Sequence, residues 1–223
     1  MSADVPSAVV VWCGGYVEGM DAPGAQEWVP TARVVDKLAE AATDCRGCEL
    51  WRDTTQVVFS EGGAGASMML VGEQPGDREG RPFVGPAGRV LDDALEGAGI
   101  AREGVYLTNA VKHFRHSTRG KRRIHEKPAV GHLVACRPWL EAELVAVEPE
   151  VVVCLGATAG RSVLGWPVRV GAERGVVQVV DGRKVLVTTH PSALLRLRDR
   201  DGWDEAFASF VDDLRVAADA AHE

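Results

Sequence analysis

Five short runs of apolar and β-branched residues punctuate the chain: SMMLVG at 67–72, VYLTNA at 105–110, VVVCLG at 151–156, VVQVV at 176–180 and KVLVTTH at 184–190. Their length and their content of Val, Leu and Thr predict strands. Between and after them the periodicity becomes helical and predicts helices at about 87–97, 128–147, 157–164 and 203–220. A run such as VVVCL has no polar alternation, so both of its faces must be covered, which is the habit of a parallel strand with helices above and below it. The predicted fold is α/β: one three-layer α/β/α domain with a mainly parallel central sheet.

The polar segments fall in register with this pattern. GEQPGD follows the first strand, NAVKHF the second, GATAG the third and HPSALLR the fifth. All of them therefore lie at carboxyl ends of strands, the edge of an open α/β sheet where ligands bind. Residues scattered from 73 to 196 are expected to face one crevice.

The chain has 223 residues, enough for one sizeable core, and no composition break divides it. We expect a single domain over 31–223 behind an N-terminal extension at 1–30. No apolar run approaches the roughly 20 residues that span a bilayer, and no basic segment precedes the short apolar patch near the N-terminus, so a cytoplasmic monomer is expected.

The net charge of −7 argues against a general affinity for nucleic acid, but its distribution changes the picture. Residues 111–127, VKHFRHSTRGKRRIHEK, hold seven Lys or Arg against one Glu, a net +6 that leaves −13 on the rest of the chain. Such a strip is commonly a solvated loop; it also confines any phosphate-binding surface to one place. Within it, GKRRIHEKP surrounds His125 with positive charge and offers no apolar face to bury. Like charges lower a proton affinity, so His125 is expected to stay neutral near pH 7.

Five cysteines, an odd number, do not suit a fully paired secreted framework. Cys45 and Cys48 form a C-x2-C pair with Cys136 and Cys154 far downstream. By spacing alone the pair fits a redox dithiol, half a zinc site or half an iron–sulfur site. Cys154, in VVVCLG, is equally a small core residue.

GEQPG at 72–76, RPFVGPAGRVLD at 81–92, TNAVK at 108–112 and HPS at 190–192, with CRGC at 45–48, resemble the uracil-DNA glycosylase superfamily, its iron–sulfur branch. KRRIH at 121–125 further resembles the UdgX branch, which bonds covalently to uracil-containing DNA. The resemblance implies a 4Fe-4S cluster on Cys45, Cys48, Cys136 and Cys154, with Cys13 free. It implies that Gly72, Gln74 and Gly76 belong to the loop that holds the target nucleotide, with Glu73 catalytic and Asp77 supporting it. Phe83 would stack on the flipped uracil and Asn109 would bond its Watson–Crick edge. His190 would donate to the uracil or the sugar, Ser192 would contact a phosphate, and a Leu194–Leu195 tip would probe the duplex. Lys121, Arg122 and Arg123 would carry the loop onto DNA, single-stranded or duplex, where His125 would capture C1′ as uracil departs. One departure stands out: the DREGR segment between GEQPG and PFVG is short, which alters the lip of the pocket.

These residues admit three functions. The first is covalent capture of uracil-containing DNA, the second a turnover uracil-DNA glycosylase in which His125 only touches phosphate, and the third a non-catalytic nucleic-acid-binding module with a structural metal.

Overall fold

The structure, a computed structural model, describes residues 23–77 and 80–222. Cys13 and most of the expected extension lie outside the described residues, as do Arg78 and Glu79 of the short DREGR segment.

Every strand expected from the sequence forms. β1 (Ser60–Glu61), β2 (Met68–Gly72), β3 (Val105–Asn109), β6 (Val151–Leu155), β7 (Val177–Val180) and β8 (Arg183–Thr188) make one sheet in the order β1-β3-β2-β6-β8-β7. The four inner strands run parallel, and the two edge strands pair antiparallel to their neighbours. Every residue of β2, β3 and β6 is buried, as apolar runs without alternation require.

Helices cover both faces. Against one lie α1 (Val35–Ala42), α3 (Val130–Val147) and α4 (Ala157–Leu164), packed on Met69, Val71, Tyr106, Val152 and Val187. Against the other lie α2 (Pro86–Ala98) and α7 (Trp203–Ala220), packed on the alternate residues Met68, Leu70, Leu107 and Val153. The result is the expected three-layer α/β/α architecture. Residues 24–29, assigned to the extension, join it: Gly24 N–H donates to Gly47 O and Ala25 N–H to Ala135 O.

Several elements depart from the expected pattern. The basic strip forms a β-hairpin, β4 (His116–Arg119) and β5 (Arg122–His125), closed by Gly120 and Lys121. Gly120 takes φ +61°, the left-handed conformation that a two-residue hairpin turn places on a glycine. The short α5 (Val170–Glu173) and α6 (Pro191–Leu195) were not foreseen, and α6 overturns one expectation. Leu194 is 1% exposed and packs in the core with Leu91 and Phe210, so it does not form a tip that probes DNA. Among the described residues no helix is long and apolar enough to cross a membrane.

Candidate active site

The carboxyl ends of β2, β3, β6 and β8 open into one cavity of about 500 Å³. Glu73, Phe83, Asn109, His125, His190 and Ser192 line it, so the crevice expected from the polar segments exists.

Glu73 leaves the end of β2, where its carboxylate meets the first turn of α4. Thr158 Oγ1 donates to Glu73 Oε2, and the other oxygen, Oε1, lies 3.5 Å from His125 Nε2. The site thus sets against His125 a carboxylate that reasoning from its basic neighbours alone does not consider. The imidazole stays accessible, its side chain 56% exposed, and it packs against the Phe114 ring at 5.9 Å between centroids.

The loop after β2 also docks the hairpin. Gln74 Oε1 accepts from Arg115 N–H at 2.9 Å, and Nε2 donates to Arg115 O and Glu126 O at 3.2 and 3.1 Å. Gln74 lines the cavity as expected, and its amide is engaged with the base of the hairpin that carries His125. Asp77 likewise does not line the cavity beside Glu73. It accepts from Arg123 Nη1 at 2.9 Å, and each of the pair is about one-third exposed. Arg123 therefore braces the hairpin, while Lys121 and Arg122 stand exposed at its tip.

Phe83 and Asn109 meet at the cavity floor. A Cβ at Gly72 would collide with Asn109 Oδ1 and the Phe83 ring, so Gly72 makes room for both without lining the cavity itself. Phe83 adopts φ +57°, an uncommon conformation for an aromatic residue, with its carbonyl pressed on Gly88, where no side chain fits. Asn109 is 2% exposed, and its Nδ2 has no hydrogen-bond partner among the described residues. A buried donor left open costs about 1–3 kcal/mol, which a ligand carbonyl can recover.

His190 is partly buried, and desolvation first, then the neighbouring His125 and Arg196, push its pKa down to about 4. Ser192 N–H donates to His190 Nδ1 at 3.1 Å, and Ser192 Oγ lies 2.8 Å from the same nitrogen. With Nδ1 accepting, a neutral ring carries its hydrogen on Nε2 and offers a donor to the cavity. Ser192 is thus engaged with His190. Sequence reasoning missed Thr158, and also Lys127 and Arg196 at the cavity wall. All three sit inside quoted segments, so proximity to the strand ends was the available signal.

Cys45, Cys48, Cys136 and Cys154 are all buried and unpaired. Three of them converge. The Cys136 thiol, pushed up to about 12 by burial, is next influenced by Lys112 and then feels Cys48 and Cys45; the Cys48 thiol, pushed up to about 11 by burial, feels Cys45. N–H groups point at this group: Trp139 Nε1 at 3.3 Å and Gly47 N at 3.5 Å from Cys45 Sγ, with Lys112 N–H on Cys136. Such donors suit cluster-bound thiolates. Cys154 does not join them. It sits within β6, paired across to Val71 and Val187, and burial alone raises its thiol. Of the expected four-cysteine set, three thiols influence one another, and Cys154, in a strand interior two strands from β3, shows no such influence. Among the described residues no three His, Cys, Asp or Glu side chains gather around a single-ion position.

The chain is similar to proteins of one family. The profile of the uracil DNA glycosylase superfamily matches residues 59–215, from β1 to α7. A Thermotoga maritima protein named type-4 uracil-DNA glycosylase is 37% identical over 173 residues, covering 75% of this chain and 86% of that one. Proteins of the same name from Archaeoglobus fulgidus and Sulfurisphaera tokodaii are 33% and 31% identical, each over 72% of this chain and over 83% and 76% of their own lengths. With the fold, the strand-end cavity and these matches in agreement, the chain belongs to the uracil DNA glycosylase superfamily.

Proposed function

We propose that this protein recognises uracil in DNA, cleaves its N-glycosidic bond and becomes covalently attached to the deoxyribose C1′ through His125. The observation that carries the reading is the approach of His125 Nε2 to Glu73 Oε1 at 3.5 Å, at the mouth of a cavity floored by Phe83 and Asn109. A nucleophile and a carboxylate are thereby within reach of one sugar carbon.

The flipped base enters the cavity with Asn109 at its Watson–Crick edge, where Nδ2 donates to a uracil carbonyl, and with Phe83 replacing lost stacking. The C1′–N1 bond breaks with its electron pair going to N1. Asn109 Nδ2 and His190 Nε2–H stabilise the uracil anion, which takes a proton from water. Glu73, held by Thr158, stabilises the positive charge that develops at C1′. His125, neutral with its hydrogen on Nδ1, attacks C1′ through the Nε2 lone pair, and the resulting imidazolium releases the Nδ1 proton to solvent. Lys121 and Arg122 supply phosphate contacts at the hairpin tip. A 4Fe-4S cluster held by Cys45, Cys48 and Cys136 would tie the N-terminal segment to α3; no step of the cleavage requires electrons. We take the working unit to be a cytoplasmic monomer.

The relatives' shared name favours a second reading, a turnover uracil-DNA glycosylase in which His125 only contacts phosphate. Denaturing electrophoresis after mixing with a uracil-containing oligonucleotide separates the possibilities. Covalent capture gives a stable shifted band, and turnover gives released uracil without a band. A non-catalytic binding module gives neither.

A further inference from the structure

The cavity does not end at His125. Gly76 and His125 line it, and their chain neighbours Asp77 and Ile124 line a second recess of about 530 Å³. Two chain segments thus pass directly from cavity to recess, and the recess forms a groove that continues the cavity. Its other lining comes from Lys121, Arg122 and Arg123 of the hairpin and from Thr55, in the segment that follows α1. Asp77 is paired with Arg123, so Lys121 and Arg122 set the sign of the groove. Ile124, 44% exposed, adds apolar surface beside them. Cations for phosphates next to an apolar surface for bases and sugars suit a nucleic-acid strand.

The segment that supplies Thr55 also carries a flat cationic surface. Trp51 is half-buried, while Arg46 and Arg52 are exposed. Arg46 Cζ lies over the Trp51 ring at 4.4 Å from its centroid, and Arg52 Cζ lies at 5.8 Å. Arg46 Nη1 donates to Cys45 O at 3.0 Å, which holds the guanidinium in place on the indole. Thr54 Oγ1 donates to Trp51 O at 3.4 Å and ties the ring to the turn that ends at Thr55. Glu49 in this stretch is paired with His132, which leaves Asp53 as its other acid. An arginine laid on an indole is ordered before any ligand arrives, and it keeps a planar face for a base and N–H groups for a phosphate.

We propose that the groove and the Arg46–Trp51 pair bind the single strand that flanks the target uracil, with phosphates on Lys121 and Arg122 and an unpaired base stacked on the Arg46 guanidinium. The proposal rests on the reading that uracil in DNA is the substrate. A strand that follows β5 from His125 to Arg122 covers about 10 Å, the length of roughly three stacked nucleotides, so Arg46 meets a base beyond the immediate neighbours of the uracil.

The test uses the full-length protein as parent, Arg46→Gln, Arg46→Lys and Trp51→Leu, with single-stranded oligonucleotides in which either side of the uracil is lengthened from about one to about eight nucleotides. The rate below saturation is read as adduct or as released uracil. In the parent, lengthening one of the two sides past about three nucleotides should raise the rate roughly ten- to a hundredfold, and pairing that flank with a complementary strand should remove most of the gain. Arg46→Gln and Trp51→Leu should lose the gain. Arg46→Gln should also lower the slope of log rate against log salt by about 0.7, the loss of one phosphate contact on a single strand, and Arg46→Lys should keep the slope but not the gain. Variants with the parent's thermal midpoint that keep the full gain, a parent that gains on neither side, or a gain undiminished by pairing would overturn the proposal. If the parent yields neither adduct nor uracil, the proposed function fails instead. The groove is then judged by fluorescence anisotropy of a labelled, uracil-free single strand, which the parent should bind more tightly than Arg46→Gln or Trp51→Leu; equal affinities would overturn it.

Discussion

Thr158→Val removes one hydrogen-bond donor from the site and keeps the shape of the side chain. Thr158 is 5% exposed in the first turn of α4, and its hydroxyl donates to Glu73 Oε2, leaving Oε1 directed at His125. A hydrogen bond to a charged group contributes about 1.5–3 kcal/mol. If that bond holds the carboxylate where positive charge develops, its loss appears in the barrier, and about 1.4 kcal/mol corresponds to a tenfold change in rate. Adduct formation should therefore slow by roughly ten- to a hundredfold. The assay is rapid quench under single-turnover conditions with protein in excess over a uracil-containing oligonucleotide, run beside Thr158→Ser, which keeps the hydroxyl and should react nearly as the parent does. A Thr158→Val protein of unchanged thermal midpoint that forms adduct within twofold of the parent would show that Glu73 needs no such support.

Asn109→Ala and Phe83→Ala should each slow the reaction with uracil DNA by about ten- to a hundredfold, since base stacking or a pairing-edge bond is worth about 1–3 kcal/mol; single-turnover rates equal to the parent's would put the pocket elsewhere. His190 sets a pH dependence of stability. Its folded pKa of about 4 lies below its ordinary value of 6.5, so between those values the unfolded chain binds more protons and stability falls as pH falls. Urea unfolding at pH 7 and pH 5 should show the parent losing on the order of 2 kcal/mol more than His190→Gln does; equal losses would refute a ring held neutral in the folded state. His125→Ser should abolish the adduct yet still release uracil, because a short hydroxyl cannot reach C1′ while Glu73, Asn109 and Phe83 remain; a persistent crosslink would assign the nucleophile to another residue.

The sheet was legible because its inner strands are buried on both sides, a condition that leaves an unbroken apolar run in the sequence. The hairpin at 116–125 was not, since Ile124 is its one large apolar residue and its pairing depends on Gly120 and on three bonds from Gln74, a residue more than forty positions away. The same distance hid the true partners of Gln74 and Asp77, whose place beside Glu73 in the chain suggested a shared duty at the substrate. That Glu73, Asn109 and His190 share one cavity was legible because each stands at or next to a strand end whose direction the alternation of strands and helices already sets, whereas Phe83 was named from its motif and His125 from its basic strip. Leu194 was misread, and Cys154 left open, for one reason. An apolar or small side chain in a segment of functional residues can equally belong to the core, and only packing tells the two apart.

The central claim is that a bond forms between His125 and DNA, and peptide mapping tests it directly. The protein is mixed with a uracil-containing oligonucleotide, denatured, digested with nuclease and protease, and sequenced by tandem mass spectrometry. The account predicts a deoxyribose remnant on His125, within the peptide that spans β5, together with one equivalent of free uracil for each adduct. A remnant on any other residue, or released uracil with every peptide unmodified, would contradict it.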